Sequence, residues 1–485
     1  MSYKLYLSAA AVLSGLVFWA PLGKAQNPSS GAQQPRPGSP AAEGSGSGAK
    51  EAATGSPLLD AQDLVADTTP LTGALNLSLG LPAGRHSFLL PSFGVSSQVQ
   101  INPYTSNLPN ALDRVETGYA TGRLALSMAS GRSNLALDYL AGGSFSSDPN
   151  QGNAGIQSLH FSDVIHWGRW STMFGDQLSY TAQSPFGFGG LGSLNNLGVG
   201  LGSIAGSNSD IRDNFLPGQS ILINGSTQIS NAAVGEVDYA LSHRGSLTFA
   251  GSYGLLDFIN AGFQNSSSAS FQGGYNYLVD RKNSIGVLYR FNEIMFSGLS
   301  QRIDDHGVQL SYARRIVARL SFQVGAGPDV VIYKSPLAAS STVANWMAST
   351  ALRYQYRHFG AGISFNHYLT GGSGLLTGAQ TDLSSGYLSQ AFNKDWEGSL
   401  WAGYSRNQAL QQTMPSANGV APQAWYATAQ VKRNFVRYGS LFIAYSASGQ
   451  SNLATLCTMP ACRASLLTST ISVGYNWGLR PIVLE

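Results

Sequence analysis

Seven histidines are scattered through the chain, and only His160 and His166 fall close together, in one alternation phase with Ser158 and Ser162. A hydroxyl nucleophile and an imidazole base need a third, orienting acid that converges on the same point. No acid stands in that phase of the segment, so an ordinary polar wall is the better reading than a hydrolase centre. Asp163 and Asp176 flank Gly168-Arg169 on largely apolar faces of adjoining segments. That break in alternation points to a local bulge or a slipped register, with a paired-carboxylate site as the alternative. Cys457 and Cys462 lie five positions apart with no nearby His, too few ligands for zinc. In an exported chain they are expected to form a local disulfide. Residues 186–206 are rich in Gly but lack the Lys-Ser/Thr ending and strand-to-helix context of a phosphate loop. No cofactor and no metal are expected, and no catalytic function.

A second set of charged residues falls on the polar phase of alternating segments: Arg123, Asp138, Glu236, Asp238, Arg290, Arg353, Glu397 and Lys432. In a barrel these are pore-lining candidates. They include both signs in equal number, which implies weak ion selectivity or salt bridges that partly fill the lumen. A formal net charge of +3, dispersed along the chain, argues against nucleic acid as a partner.

The segments that would carry those charges alternate apolar with small or polar residues from about His86 onward. Phe359, Ala361, Ile363 and Phe365 stand against Gly360, Gly362, Ser364 and Asn366, and Trp425, Ala427, Ala429 and Val431 against Tyr426, Thr428, Gln430 and Lys432. This is the dyad period of a membrane barrel. Short connections near residues 130–133, 168–169, 243–245, 280–283, 315–318, 356–358, 393–395 and 434–437 alternate with mostly longer ones, among them 183–227, 298–304, 334–341 and 450–463. The fold class that follows is all-β: a single transmembrane antiparallel β-barrel of about 18 strands (16 to 18), with short periplasmic turns and long extracellular loops. Arg and Lys collect at the short connections, as expected beside anionic headgroups.

Composition agrees. Only 11% of the chain is charged, whereas 43% is hydrophobic and 57 of 485 residues are Gly; an ordinary water-facing surface carries roughly 25% charged residues. The start of the chain reads as an export signal over residues 1–25, with Lys4 before an apolar run and a cut between Ala25 and Gln26. Residues 26–57 are a Pro/Gly/Ser-rich tether expected to be disordered. Residues 58–85 suit a short periplasmic or plug-like segment, and 86–485 the barrel. No stretch after the signal is long and apolar enough for a spanning helix.

The last segment contains Ser472-Val473-Gly474-Tyr475-Asn476-Trp477-Gly478-Leu479. It resembles the signal read by the barrel-assembly machinery of Gram-negative outer membranes, with Ser472, Gly474, Trp477 and Leu479 at the defining positions. Many such proteins end on an aromatic residue, whereas this chain continues through Arg480 to Glu485. The whole of 86–479 resembles a porin-like outer-membrane barrel in architecture. That resemblance implies outer-membrane lipid and the assembly machinery as partners, with small solutes as candidate cargo. Three function classes stand at this point: a passive or weakly selective pore, a non-conducting surface-structural or export-associated barrel, and a barrel hydrolase. The long Gly-rich connection 183–227 would constrict the lumen in the first.

Overall fold

The computed structural model describes residues 87–102, 113–148, 153–181, 227–259, 263–298, 300–317, 319–335, 338–371, 376–410, 421–436, 439–451, 465–480 and 482–484. The expected signal, tether and plug-like segment, both cysteines and most of 183–227 lie outside the described residues.

Period-two alternation becomes strand at every segment where the sequence shows it. The strands are β1 (Ser87–Ile101), β2 (Arg114–Ala129), β3 (Ser133–Ser146), β4 (Ala154–Trp167), β5 (Trp170–Thr181) and β6 (Gln228–Ala240). They continue through β7 (Gly245–Phe258), β8 (Ser266–Leu278), β9 (Asn283–Phe296), β10 (Gln301–Val317), β11 (Leu320–Ser335) and β12 (Ala338–Tyr356). The series closes with β13 (Phe359–Thr370), β14 (Ala379–Ala391), β15 (Trp396–Ala409), β16 (Gln423–Val436), β17 (Gly439–Ser451), β18 (Ser465–Gly478) and the short β19 (Ile482–Leu484). From β1 to β18 each strand pairs antiparallel with the next, and β1 closes the ring on β18 from Ser92↔Gly478 to Ile101↔Ser469. The barrel therefore has 18 strands. The C-terminal extension that departs from the usual ending is β19, which continues the edge of β18 along β1 through Leu89↔Ile482 and Ser87↔Leu484.

Alternation sorts the side chains by face. In β18, Leu467, Ile471, Val473, Tyr475 and Trp477 are exposed while Thr468, Thr470 and Ser472 are buried. The same division runs round the barrel: Ile285, Val287 and Tyr289 outward against Leu288 inward in β9, and Ile443 and Tyr445 outward against Phe442, Ala444 and Ser446 inward in β17. An exterior this apolar is stable only in hydrocarbon, and a closed barrel is the one sheet that leaves no unpaired edge there. Trp167, Trp170, Trp396 and Trp477 stand exposed at the end of the barrel with the short turns, where an interfacial aromatic girdle belongs. The protein is thus a transmembrane β-barrel, and its short-turn end is termed periplasmic and its long-loop end extracellular, after the usual arrangement of such barrels.

Three connections differ from expectation. Strand β10 begins at Gln301 rather than after Asp304, and β11–β12 run to Ser335 and Ala338 rather than stopping near Lys334 and Ser341. These stretches look like loop in sequence because they are polar. They are strand because outward Arg302 bonds Glu293 (3.1 Å) and Asp304 (2.6 Å), and Lys334 bonds Asp304 (2.6 Å), which ties β9, β10 and β11 together. Similarly, Arg315, expected in a turn, lies inside β10.

The extracellular mouth is not a simple rim. Pairing of β12 with β13 stops at Ala348↔His367, while β13–β14 continues to Thr370↔Ala379 and β11–β12 to Ser335↔Ala338. Above the split, Leu369 of the outward phase of β13 packs on inward Ile294, Phe296, Ile303, Val331 and Tyr333, with Leu410 against the same cluster. Outward-phase Gln380 of β14 accepts a hydrogen bond from inward Asn345 at 2.7 Å. The outer side of β13–β15 therefore overlaps the inner side of β9–β12. Gly378 makes the approach: a Cβ there would lie 2.3 Å from Ile303 Cδ1, and its φ of +89° already favours Gly.

The facial assignment makes a prediction at mid-strand. Ile471 is 51% exposed to lipid and Ser472 3% exposed on the inner side. Ile471→Arg places a cation in hydrocarbon at a cost of about 2–4 kcal/mol and should cut the yield of heat-modifiable, folded barrel. Ser472→Arg should be the better tolerated of the two, and equal yields would contradict the assignment.

Candidate functional site: the charged inner wall

The inner wall is built by register. Arg123 of β2 lies one diagonal step from Asp138 of β3, because Arg123 faces Leu140. Its Nε donates to both carboxylate oxygens at 2.8 and 3.0 Å, and its Nη2 donates to Oδ2. Both side chains are about 90% buried, so the pair is a desolvated fork of the kind that Arg forms best. The backbone register places His160 opposite Asp138, so an acid does stand on the inner face beside the His/Ser segment, contributed by the neighbouring strand. That carboxylate is committed to Arg123.

A single transverse row carries the next charges. Glu236, Ala250, Gln272, Arg290, Gly307 and Asp329 are successive register partners across β6 to β11. Arg290 Nη2 donates to Asp305 Oδ2 at 3.0 Å. Asp305 and Asp329 are 0% and 1% exposed, and Asp305 Oδ1 and both Asp329 oxygens have no hydrogen-bond partner. One row toward the periplasm, Asp238 accepts a hydrogen bond from Thr248. Arg353 occupies an inward position of β12 between Ser321 and Gly362, and Glu397 faces Lys432 directly across β15 and β16. All eight charges singled out in the sequence thus fall on the inner phase of their strands.

Among the described residues, three further inward charges escaped the sequence reading: Asp305, Asp329 and Arg315. Asp305 and Arg315 fell at the misjudged ends of β10. Asp329 follows Gly327-Pro328, a pair that reads as a turn. Here Pro328 is accommodated on the outward phase, and no pairing of 308–309 with 327–328 is made. The alternation of Val330 (exposed) with Val331 (buried) was the signal that placed Asp329 inward.

The bulge expected at Asp163 and Asp176 is absent. Strands β4 and β5 pair without a register shift from Gln157↔Tyr180 to Trp167↔Trp170. Both acids are on the outward phase with their own partners, Asp163 accepting from Ser133 Oγ at 2.7 Å and Asp176 from Asn231 Nδ2 at 2.8 Å. Local polar partners satisfy these carboxylates, so the backbone need not turn them inward. They sit diagonally, each opposite a Phe, with the Phe161 and Phe174 rings 6.0 Å apart on the crossing diagonal.

In the C-terminal motif, Ser472 and Gly474 are inward and Trp477 and Leu479 outward or exposed. Gly474 has a packing reason: a Cβ there would lie 2.3 Å from Phe442 Cζ. The ring of Phe442, 1% exposed, fills the space a side chain would take.

No protein-family model matches the chain, and no curated protein matches it. Among solved structures, Pseudomonas aeruginosa OccK2 (OpdF) is similar at 11% identity and a TM-score of 0.40, over 81% of this chain and 98% of that one. The Pseudomonas aeruginosa outer membrane protein OpdK is similar at 8% identity and a TM-score of 0.41, over 81% and 99%. Acinetobacter baumannii OccAB2 is similar at 10% identity and a TM-score of 0.41, over 81% and 98%.

Breaking one partner of a buried pair strands the other charge. Arg123→Met alone should destabilise the barrel by about 3–5 kcal/mol, read as a lower denaturant midpoint. Adding Asp138→Leu should recover most of the loss, and additive losses would show the two groups to be uncoupled.

Outside the membrane, the β8–β9 turn is held by Asp280. Its carboxylate accepts from Asn283 Nδ2 (2.7 Å), Lys282 N (2.7 Å) and Asn283 N (2.9 Å). The Asn283 side-chain bond, then the backbone bonds, hold the Asp280 carboxyl below its ordinary range. A depressed folded value means that the stabilisation is present at neutral pH and is lost as pH falls through that value. Intrinsic exchange-corrected protection of the Lys282 and Asn283 amides should therefore fall on acidification below pH ~4. Asp280→Asn should flatten that dependence.

Proposed function

We propose that the protein is a passive, weakly selective channel for small polar solutes. The observation that carries this reading is the closed 18-strand ring with a polar inner face, since barrels of roughly 16–18 strands enclose an aqueous passage. Inward charge supports weak selectivity: Asp138, Glu236, Asp238, Asp305, Asp329 and Glu397 against Arg123, Arg290, Arg315, Arg353 and Lys432 among the described residues. Several of these neutralise one another across adjacent strands.

A second reading, a barrel without free conductance, is favoured by the overlap at the extracellular mouth and by the burial of inward polar residues such as Gln98, Gln272 and Thr381. Planar-bilayer recording separates the two. The purified barrel should give discrete conductance steps, and Leu369→Ser with Leu410→Ser should enlarge them by loosening the overlap without preventing assembly. A folded barrel that never conducts, in either form, would establish the second reading instead.

A further inference from the structure

Above Ala348, β12 is paired on one side only. Its ladder to β11 continues from Gly327↔Met347 to Tyr333↔Ser341, whereas its ladder to β13 ends at Ala348↔His367. The cause is the overlap at the mouth: Leu369 carries the end of β13 inward onto Ile303, Val331 and Tyr333, and so away from β12. That inner layer covers β11 and stops short of β12. Val331 and Tyr333 are buried, yet their register partners of the same phase, Val343 and Ser341, are exposed, as are Thr342 and Ala344 of the other phase. At the branch point Trp346 N donates to Asn345 Oδ1, a neighbouring side chain, at 2.9 Å. The N–H and C=O groups of an antiparallel strand alternate sides, so those of Thr342 and Ala344 point the same way as those of Trp346. No strand among the described residues pairs on that side.

Height places this edge outside the hydrocarbon. Trp346 and Tyr356 stand ten residues apart on the outer phase of β12. At about 3.3 Å per residue and a tilt of about 40° they are separated by about 25 Å along the barrel axis, the thickness of the apolar band. Residues 341–345 therefore lie on the extracellular side of that band. Natural edges in contact with water are blunted by charge, Pro or a bulge. The run Ser341-Thr342-Val343-Ala344-Asn345-Trp346 has neither charge nor Pro, and it pairs with β11 without a register shift.

We infer that the free edge of β12 is a docking site for an extended, uncharged segment of another polypeptide on the extracellular side, which adds antiparallel to residues 341–347 as a further strand. A row of alternating backbone donors and acceptors is matched by a second extended backbone, and the match supplies affinity without requiring charge. A copy of this chain in the same membrane does not fit. Inserted in the same orientation, its β12 runs in the same direction, and antiparallel addition needs the reverse. Because both faces of the edge are exposed and uncharged, small or β-branched side chains suit the added strand. The inference stands apart from conduction, since the edge lies outside the lumen.

The test is fluorescence anisotropy of a short labelled peptide of alternating Thr and Val, with Lys at its ends for solubility, titrated with the purified barrel in detergent. Saturable binding is expected. Thr342→Pro removes an edge N–H and spares the ladder to β11, so the variant should fold, as judged by heat modifiability, and bind at least tenfold more weakly. Thr342→Ala keeps the backbone and should bind as the wild type does. A second measurement leaves the barrel unaltered: the same peptide N-methylated throughout, which has no backbone donors, should fail to bind the wild type. No binding of the unmethylated peptide, equal binding of the methylated one, or an affinity unchanged by Thr342→Pro in a folded barrel would overturn the assignment. Barrel dimers in sedimentation that Thr342→Pro abolishes would give the edge to a second copy and overturn it too. Peptide binding that appears only after removal of residues 187–207 would give the edge to that connection, with the same consequence.

Discussion

Within hydrocarbon every backbone N–H and C=O must find a partner inside the protein, and a sheet meets that demand only by returning to its own first strand. In this chain the return is the ladder between β1 and β18, extended by β19. Once the ring is closed, alternation has no freedom left: each strand shows lipid one set of side chains and the lumen the other. The apolar exterior, the polar interior and the position of every charge follow from that closure. The short β19 matters for the same reason, because β1 starts at Ser87, beyond the reach of β18, and its first residues would otherwise present an open edge.

Closure also explains which polar contacts are tolerated where. Outward acids persist only with a partner on the same face, as Asp163 does with Ser133 and Asp176 with Asn231. Inward charges pair across neighbouring strands, as a fork in Arg123–Asp138 and through a single bond in Arg290–Asp305. The exceptions are instructive. Asp329 retains two buried oxygens without a partner beside an Arg already engaged by Asp305, so the wall carries more acid than its cations neutralise at that height. Unpartnered polar atoms recur along the same inner wall, at Glu236, Gln272 and Arg290 of this row among others, so its polarity answers to the lumen more than to packing.

Legibility in the sequence tracked the range of the physics involved. Strand number, turn positions and the inward phase of eight charges depend on period two alone, so they could be read from the chain. The ends of β10, β11 and β12 could not, because ion pairs among Glu293, Arg302, Asp304 and Lys334 extend pairing into stretches whose polarity reads as loop. Polarity also misled at Asp163 and Asp176, where it stood in for face; the face was set by register and the polarity was answered by a neighbour. The overlap at the mouth was invisible for a different reason. It depends on β12 and β13 parting above Ala348, and on Leu369 meeting residues more than thirty positions away.

The two ends of the same wall differ in electrostatic character, and the difference follows from topology. At mid-height, charges alternate in sign along a row because neighbouring strands must pair their side chains. At the periplasmic end, turns from neighbouring hairpins contribute Arg244, Arg281 and Lys282, beside the turn acid Asp280. A backbone bond from strand to turn then holds two of these like charges close, as Arg315 N donates to Lys282 O. Like charges brought together in a cavity repel one another unless solvent or a counter-ion occupies it. Cations therefore gather where the lumen meets the periplasm, while acids outnumber cations around the mid-height row of Glu236, Arg290 and Asp329.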